Sequence, residues 1–217
     1  MITNLCFHGI GTIVGEREQG ESRYWVTEDF FLRILDAVLE SPHVRLSFDD
    51  GNRSDVAFAF PALRERGLRA SFFALAGRLD DPASLSSSDL MDLRAAGMAI
   101  GSHGWTHTPW RGLGEEEARR ELVDARTALA EASGGEIEDA ALPLGQYDRQ
   151  LLARLGRVGY RTVFTSDRLP ARSSAWLQAR YSVTSRDTVE SIRAVLTHRP
   201  GVRDVRNLLA STAKRIR

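Results

Sequence analysis

Cysteine and lysine are almost missing from this chain. Cys6 is the only cysteine in 217 residues, which excludes an internal disulfide framework and fits a reducing compartment. Lys214 is the only lysine, so arginine carries nearly all of the basic charge, a mark of GC-rich coding more than of mechanism. Excess charge is lacking too, since 29 basic residues balance 29 acidic ones. That neutrality gives no electrostatic reason to expect nucleic acid or an anionic membrane as a partner. No apolar run approaches the length of a membrane span. Met1 to His8 lacks the basic and apolar regions of a signal peptide, so a cytoplasmic location is expected. With 42% hydrophobic and 27% charged residues, residues 1–217 read as one soluble domain with a substantial core.

Strand-like and helix-like segments alternate along the chain. Leu5-Cys6-Phe7 runs into His8-Gly9, and the polar stretch from Ile13 to Val26 reads as a long surface loop. Thr27 caps a helix whose apolar residues recur from Phe30 to Leu39. A second strand, Val44 to Phe48, ends in Asp49-Asp50-Gly51. A helix from Ser54 to Arg66 must accommodate Pro61. Further strands are expected at 69–75, 98–101, 139–142, 160–165 and 177–183. Helices are expected from Ser86 to Gly97, Glu115 to Glu131, Asp148 to Val158 and Asp187 to Leu196, with a basic helix over 202–216. The alternation predicts an α/β fold with a parallel sheet, open or closed into a barrel. In either case the loops at strand C-termini share one face. His8, Asp49, Asp50, His103, His107 and Pro143-Leu144-Gly145 all fall there.

Two adjacent carboxylates at a strand end repel one another, so at least one needs a cation, a donor or solvent. His103 and His107, four apart, can clamp one ion, and one of the two aspartates completes a three-ligand set with an open position. The other aspartate is then free to act as general base. Taken singly, each motif has a plainer reading: Asp-Gly as a turn, His-x-x-x-His as surface chance, Pro-Leu-Gly as a loop. Their joint occurrence at strand ends points to metal-assisted hydrolysis of a carbonyl compound.

At these residues the chain resembles polysaccharide deacetylases of the NodB-homology, carbohydrate esterase family 4 type. Ser47-Phe48-Asp49-Asp50-Gly51 is similar to that family's Thr-Phe-Asp-Asp-Gly signature. His103-Gly104-Trp105-Thr106-His107 is similar to its His-Ser/Thr-x-x-His motif, with Gly104 as the departure. The resemblance spans roughly residues 1 to 185. It implies a deformed (β/α) barrel of about seven parallel strands and removal of an acetyl group from an N-acetylated carbohydrate. It also implies Asp49 as catalytic base and Asp50, His103 and His107 as ligands of a divalent metal, Zn2+ or else Co2+ or Ni2+.

Two departures matter. The family's Arg-x-Pro-x-Gly stands here as Ala141-Leu142-Pro143-Leu144-Gly145, so the arginine that orients the base is missing. Arg180 is a candidate replacement, the alternative being a surface arginine. The backbone N–H of Leu144 is a candidate oxyanion donor. Leu196-Thr197-His198 has the letters of the family's Leu-x-His but ends a helix. His8, closing the first strand, fits the general acid of branches whose equivalent strand comes first. The alternative is a buried histidine bonding a loop backbone. Trp105, with Trp110, flanks the ligand loop as a sugar-stacking candidate. Competing functions are a non-catalytic carbohydrate-binding relative and a hydrolase of O-acetyl esters or non-sugar amides. The lack of a visible leader favours a cytoplasmic sugar precursor as substrate. Which sugar, and which oligomeric state, stay open.

Overall fold

Period-two alternation along each strand sorts side chains between two environments. Leu5, Phe7, Leu46, Phe48, Phe72, Ile100, Ala140, Leu142 and Val163 join one large apolar core with the helices. The intervening positions point inside the sheet, where Phe73, Ala141 and Phe164 form a small separate cluster. Gly101 makes room for it, since a Cβ there would lie 2.4 Å from the Phe73 ring. Beside this plug the interior is polar: Asn4 donates to Gln178 Oε1 at 3.2 Å, and Ser47 accepts from Arg180.

The computed structural model describes residues 1–197 and 202–217. His198 of the Leu196-Thr197-His198 match therefore lies outside the described residues. The sheet strands are β1 Thr3–Phe7, β2 Val44–Phe48, β3 Ala70–Ala74, β4 Ala99–Ser102, β5 Asp139–Ala141, β6 Thr162–Thr165, β7 Leu177–Ala179 and β8 Tyr181–Ser182. All pairs are parallel, in the order β8-β1-β2-β3-β4-β5-β6-β7. The two ends of this sheet are consecutive in the chain. β7 pairs with β6 through Val163 and Leu177, and β8 pairs with β1 through Leu5 and Tyr181. Only Arg180 separates them, so one stretch changes partners at that residue and nearly closes the barrel. The expected barrel of about seven strands is thus observed with eight, because the expected 177–183 strand is divided.

The helices follow their local signals. Thr27 accepts from Phe30 N at 3.3 Å to start Glu28–Leu39, and Ser86 with Asp89 forms a capping box before Ser87–Ala95. The Pro61 helix is widened into a π-helical turn, Asp55–Ala59, before Phe60–Glu65, which accommodates the missing N–H. The polar stretch expected as bare loop has structure of its own. It forms a short 3-10 turn, Glu21–Tyr24, and its Trp25–Val26 pairs in parallel with Gly9–Ile10. Among the described residues no helix is long and apolar enough to cross a membrane.

The last helix, Val202–Ile216, is fastened by polar groups. Buried Asp167 accepts from Tyr147 Oη at 2.6 Å, Thr165 Oγ1 at 2.9 Å, Ser211 Oγ at 3.1 Å and Lys214 Nζ at 2.8 Å. Burial pushes the Asp167 carboxyl up, but Lys214 and Tyr147 more than offset it and leave it below the ordinary value. Burial and the bond to Asp167 also raise Tyr147 to about 12. A depressed carboxyl stabilises the fold above its unfolded pKa of about 3.9 and loses that contribution as pH falls through the folded value. Acid titration below about pH 4 is therefore expected to loosen the attachment of this helix. Amide exchange of residues 204–216 against β1–β6 as pH is lowered checks it.

Candidate metal centre

β2 delivers its two aspartates to the C-terminal mouth of the barrel. Asp49 N still continues the ladder, donating to Phe7 O at 2.9 Å. Asp50 then turns into the left-handed region with φ 73, and His107 does likewise with φ 62. Such conformations are uncommon outside glycine and concentrate at functional sites. The turn separates the two carboxylates. Asp50 Oδ1 faces His103 Nε2 at 3.4 Å and His107 Nε2 at 3.3 Å.

The remaining ring nitrogens are occupied. His103 Nδ1 lies 2.9 Å from Ala141 O, and His107 Nδ1 lies 2.6 Å from Glu18 Oε2. With both rings neutral, donation from the Nδ1 atoms leaves the Nε2 lone pairs aimed at Asp50, the arrangement seen around metal-binding histidines. Asp50 Oδ1 is buried and has no hydrogen-bond partner among the described residues. An orphaned carboxylate oxygen facing two imidazole lone pairs fits a divalent cation. The three groups lie within 4.8 Å of one another and form a possible metal site.

Asp49 is held differently. Arg180 Nη1 and Nη2 donate to its Oδ1 and Oδ2, both at 2.6 Å, and Nη1 also donates to Ser47 Oγ at 3.1 Å. Both residues are buried, at 3% and 2% exposure. The guanidinium lies against the Phe73 and Phe164 rings at 5.3 and 5.6 Å. Burial pushes the Asp49 carboxyl up, but Arg180 outweighs it and holds the group below its ordinary value. Arg180 is thus no surface arginine, and Asp49 keeps a bidentate partner although position 141 is alanine.

His8 lines the same cleft, its ring 4.7 Å from that of Tyr24. Its Nδ1 is buried without a partner among the described residues. Burial lowers the imidazole against the pull of Asp50 and Asp49. One nitrogen of His8, Cys6 Sγ and an Asp49 oxygen lie within 4.8 Å of one another. The cleft, of about 170 Å3, is also lined by Glu18, Arg78, Leu144 and Ser182. A larger cavity of about 530 Å3 opens at the opposite end of the barrel, beside Arg45, Asp139 and Trp176. Ser47 is the one motif residue on its wall, and His8, Asp49, Asp50, His103 and His107 all lie outside it.

Not every expected residue reaches the cleft. Trp105 is absent from its lining: the ring faces the Arg120 guanidinium at 5.1 Å and packs over Gly77. Trp110 is a core residue, 2% exposed. Leu144 does reach the edge, with φ 55.

Glu121 and Glu18, to which no sequence motif points, hold the histidine loop and the His107 ring. Buried Glu121 accepts from Trp105 N at 2.7 Å, Thr106 N at 3.1 Å, Thr106 Oγ1 at 2.6 Å and Trp110 Nε1 at 3.3 Å. It therefore folds the loop between the two histidines. It belongs to a π-helical turn, Arg120–Asp124, inside the helical run Glu115–Ser133. An acidic residue three after Ala118 and four before Ala125, on the helical face that those apolar positions occupy, was the available signal. Gly104 is explained by the same contact: it has φ 91, and a Cβ would sit 2.4 Å from Glu121 Oε2. Glu18 also bonds Arg78. An amide at position 121 has one acceptor atom where the carboxylate has two. Glu121→Gln is therefore expected to weaken metal binding about 10–100-fold with all three ligands intact, measured by titration calorimetry.

The architecture defines a class: a nearly closed parallel barrel of the NodB deacetylase type, with a two-histidine, one-carboxylate cluster at its mouth. Residues 37–163 match the family profile described as polysaccharide deacetylase, more than half of the chain. The chain belongs to that family. YxkH of Bacillus subtilis (strain 168), named for the same family, is 23% identical over 124 residues, or 57% of this chain and 44% of that protein. The chain thus spans less than half the length of this curated relative. Among solved structures, a polysaccharide deacetylase from Bacillus cereus superposes with TM-score 0.78 at 17% identity, covering 90% of this chain and 68% of that one. Streptococcus pyogenes deacetylase PplD, in complex with acetate, gives 0.77 at 18%, covering 92% and 98%. IcaB from Ammonifex degensii gives 0.73 at 20%, covering 91% and 97%. At these identities the likeness speaks for the fold.

Proposed function

We propose that this chain is a metal-dependent hydrolase that removes an acetyl group from an N-acetylated sugar. The observation that carries the reading is the division of labour at β2, with Asp50 facing two histidines and Asp49 clamped by Arg180. Asp50, His103 and His107 would hold the ion, Zn2+ by the nature of the donors, with Co2+ or Ni2+ as alternatives. When bound, it supplies Lewis acidity that polarises the acyl carbonyl and makes water a nucleophile near neutral pH.

The rest of the chemistry falls to side chains and backbone. Asp49 takes a proton from the attacking water, using lone pairs that Arg180 leaves free. Arg180 fixes its orientation and keeps it ionised. The backbone N–H of Leu144 is the donor to the oxyanion. His8 gives a proton to the departing amine nitrogen as the carbon–nitrogen bond breaks. Its nearness to Asp49 offers a route by which the water's proton replaces the one given up.

The test combines metal analysis with free-amine detection on N-acetylglucosamine oligomers and N-acetylated nucleotide sugars, with acetyl esters alongside. The expected result is about one equivalent of bound metal and amine release that chelation abolishes. Stoichiometric metal without amine release would favour a non-catalytic carbohydrate binder, and release of acetate from the esters alone would move the reaction to O-acetyl groups.

A further inference from the structure

The helix Val202–Ile216 is amphipathic, but it is mounted the wrong way round for a globular protein. Its polar side packs inward: Ser211 is buried on Asp167, Lys214 reaches Asp167, and Asn207 donates to Arg168 O at 3.2 Å. Its apolar side faces outward, with Val205 58%, Leu208 56%, Leu209 66% and Ile216 74% exposed. Spacings of 3, 4 and 7 put these four residues, with exposed Thr212, on one stripe. At 100° per residue, Arg206 and Arg217 border the stripe on one side and Arg215 on the other. All three are exposed. A solvated helix ordinarily turns its apolar stripe to the core and its charges to water, so this stripe awaits a covering.

We infer that this face docks on an anionic phospholipid bilayer. The charge pattern decides the occupant. Residues 202–217 carry five basic side chains against one acidic, in a chain whose overall balance is zero. An apolar stripe bordered by arginines is the form of a helix lying in the headgroup plane, where leucines enter the acyl boundary and guanidiniums meet phosphates. The helix also adjoins the catalytic cleft. Lys214 Nζ donates to Gly145 O at 3.2 Å, and neighbouring Leu144, 56% exposed, stands on the cleft rim. Docking would therefore hold the rim of the cleft about one helix diameter from the membrane surface. The inference is independent of the deacetylase reading.

Flotation of the full chain with phosphatidylcholine vesicles, with and without about 30% phosphatidylglycerol, tests it. Binding is expected to the anionic vesicles, weakened by 0.5 M salt or by Arg206→Gln with Arg217→Gln. Leu208→Ser with Leu209→Ser should lower partitioning about tenfold or more with little change in Tm, since both side chains are more than half exposed. Failure of the wild-type chain to float with anionic vesicles would overturn the inference. So would concentration-dependent self-association that the leucine substitutions abolish in a chain that ignores vesicles, which would assign the face to a second copy.

Discussion

Asp49→Asn is expected to keep the metal and lose about 10²–10⁴ of the turnover. The asparagine fills the same volume and can still accept from Arg180, but it cannot take a proton from water. Asp50, His103 and His107 are untouched, so metal content should match the wild type within error. KM should change little, because the loss lies in a proton transfer and not in holding substrate. Steady-state amine release with parallel metal analysis checks both halves. Full activity in the asparagine variant would remove Asp49 from the proton transfer.

Arg180→Met carries the largest expected effect on stability. It leaves the Asp49 carboxylate buried without its cation, a change that typically costs about 3–5 kcal/mol. The effect has a pH signature. With Arg180, the Asp49 carboxyl lies below its ordinary value and stabilises the fold above about pH 3.9, the unfolded pKa. Without Arg180, burial is opposed only by the weaker pull of His103 and His8, so the carboxyl rises and the folded state is driven towards the protonated acid. The deficit is therefore greatest at neutral pH and shrinks as pH falls below about 4. Adding Asp49→Asn to Arg180→Met removes the stranded charge and should restore much of the loss. Urea unfolding of the four proteins in chelator, at neutral and acid pH, measures the cycle. Additive losses would mean that the pair is not coupled as the geometry indicates.

What the sequence made legible was what short spacing encodes. Asp49-Asp50 and His103-x-x-x-His107 sit within single loops, so residue order alone brings each pair together. The caps at Thr27, Ser86 and Asp148 are local in the same sense. Arg180 could be singled out as a replacement for the arginine that position 141 lacks. Its partner is 131 residues away, and only barrel closure brings them together. Glu18 was hidden for the same reason, reaching His107 across 89 residues from a stretch that reads as plain surface loop. Trp105 was misleading because its neighbours in sequence are ligands, while backbone bonds to Glu121 turn its ring towards Arg120. The eighth strand could not be counted in advance, because the division at Arg180 depends on which neighbours β7 and β8 find. The orientation of the last helix was equally hidden: its pattern specifies an apolar stripe, but Tyr147 and Asp167 decide which side faces the barrel.

Activity is expected to depend on a metal held by Asp50, His103 and His107. Titration of Zn2+ into chelator-stripped wild type and Asp50→Ala, followed by amine release from the same samples, tests it most directly. One binding event and recovered activity are expected in the wild type, with both lost together in Asp50→Ala. Stoichiometric zinc on Asp50→Ala, or amine release from the stripped wild type, would contradict it.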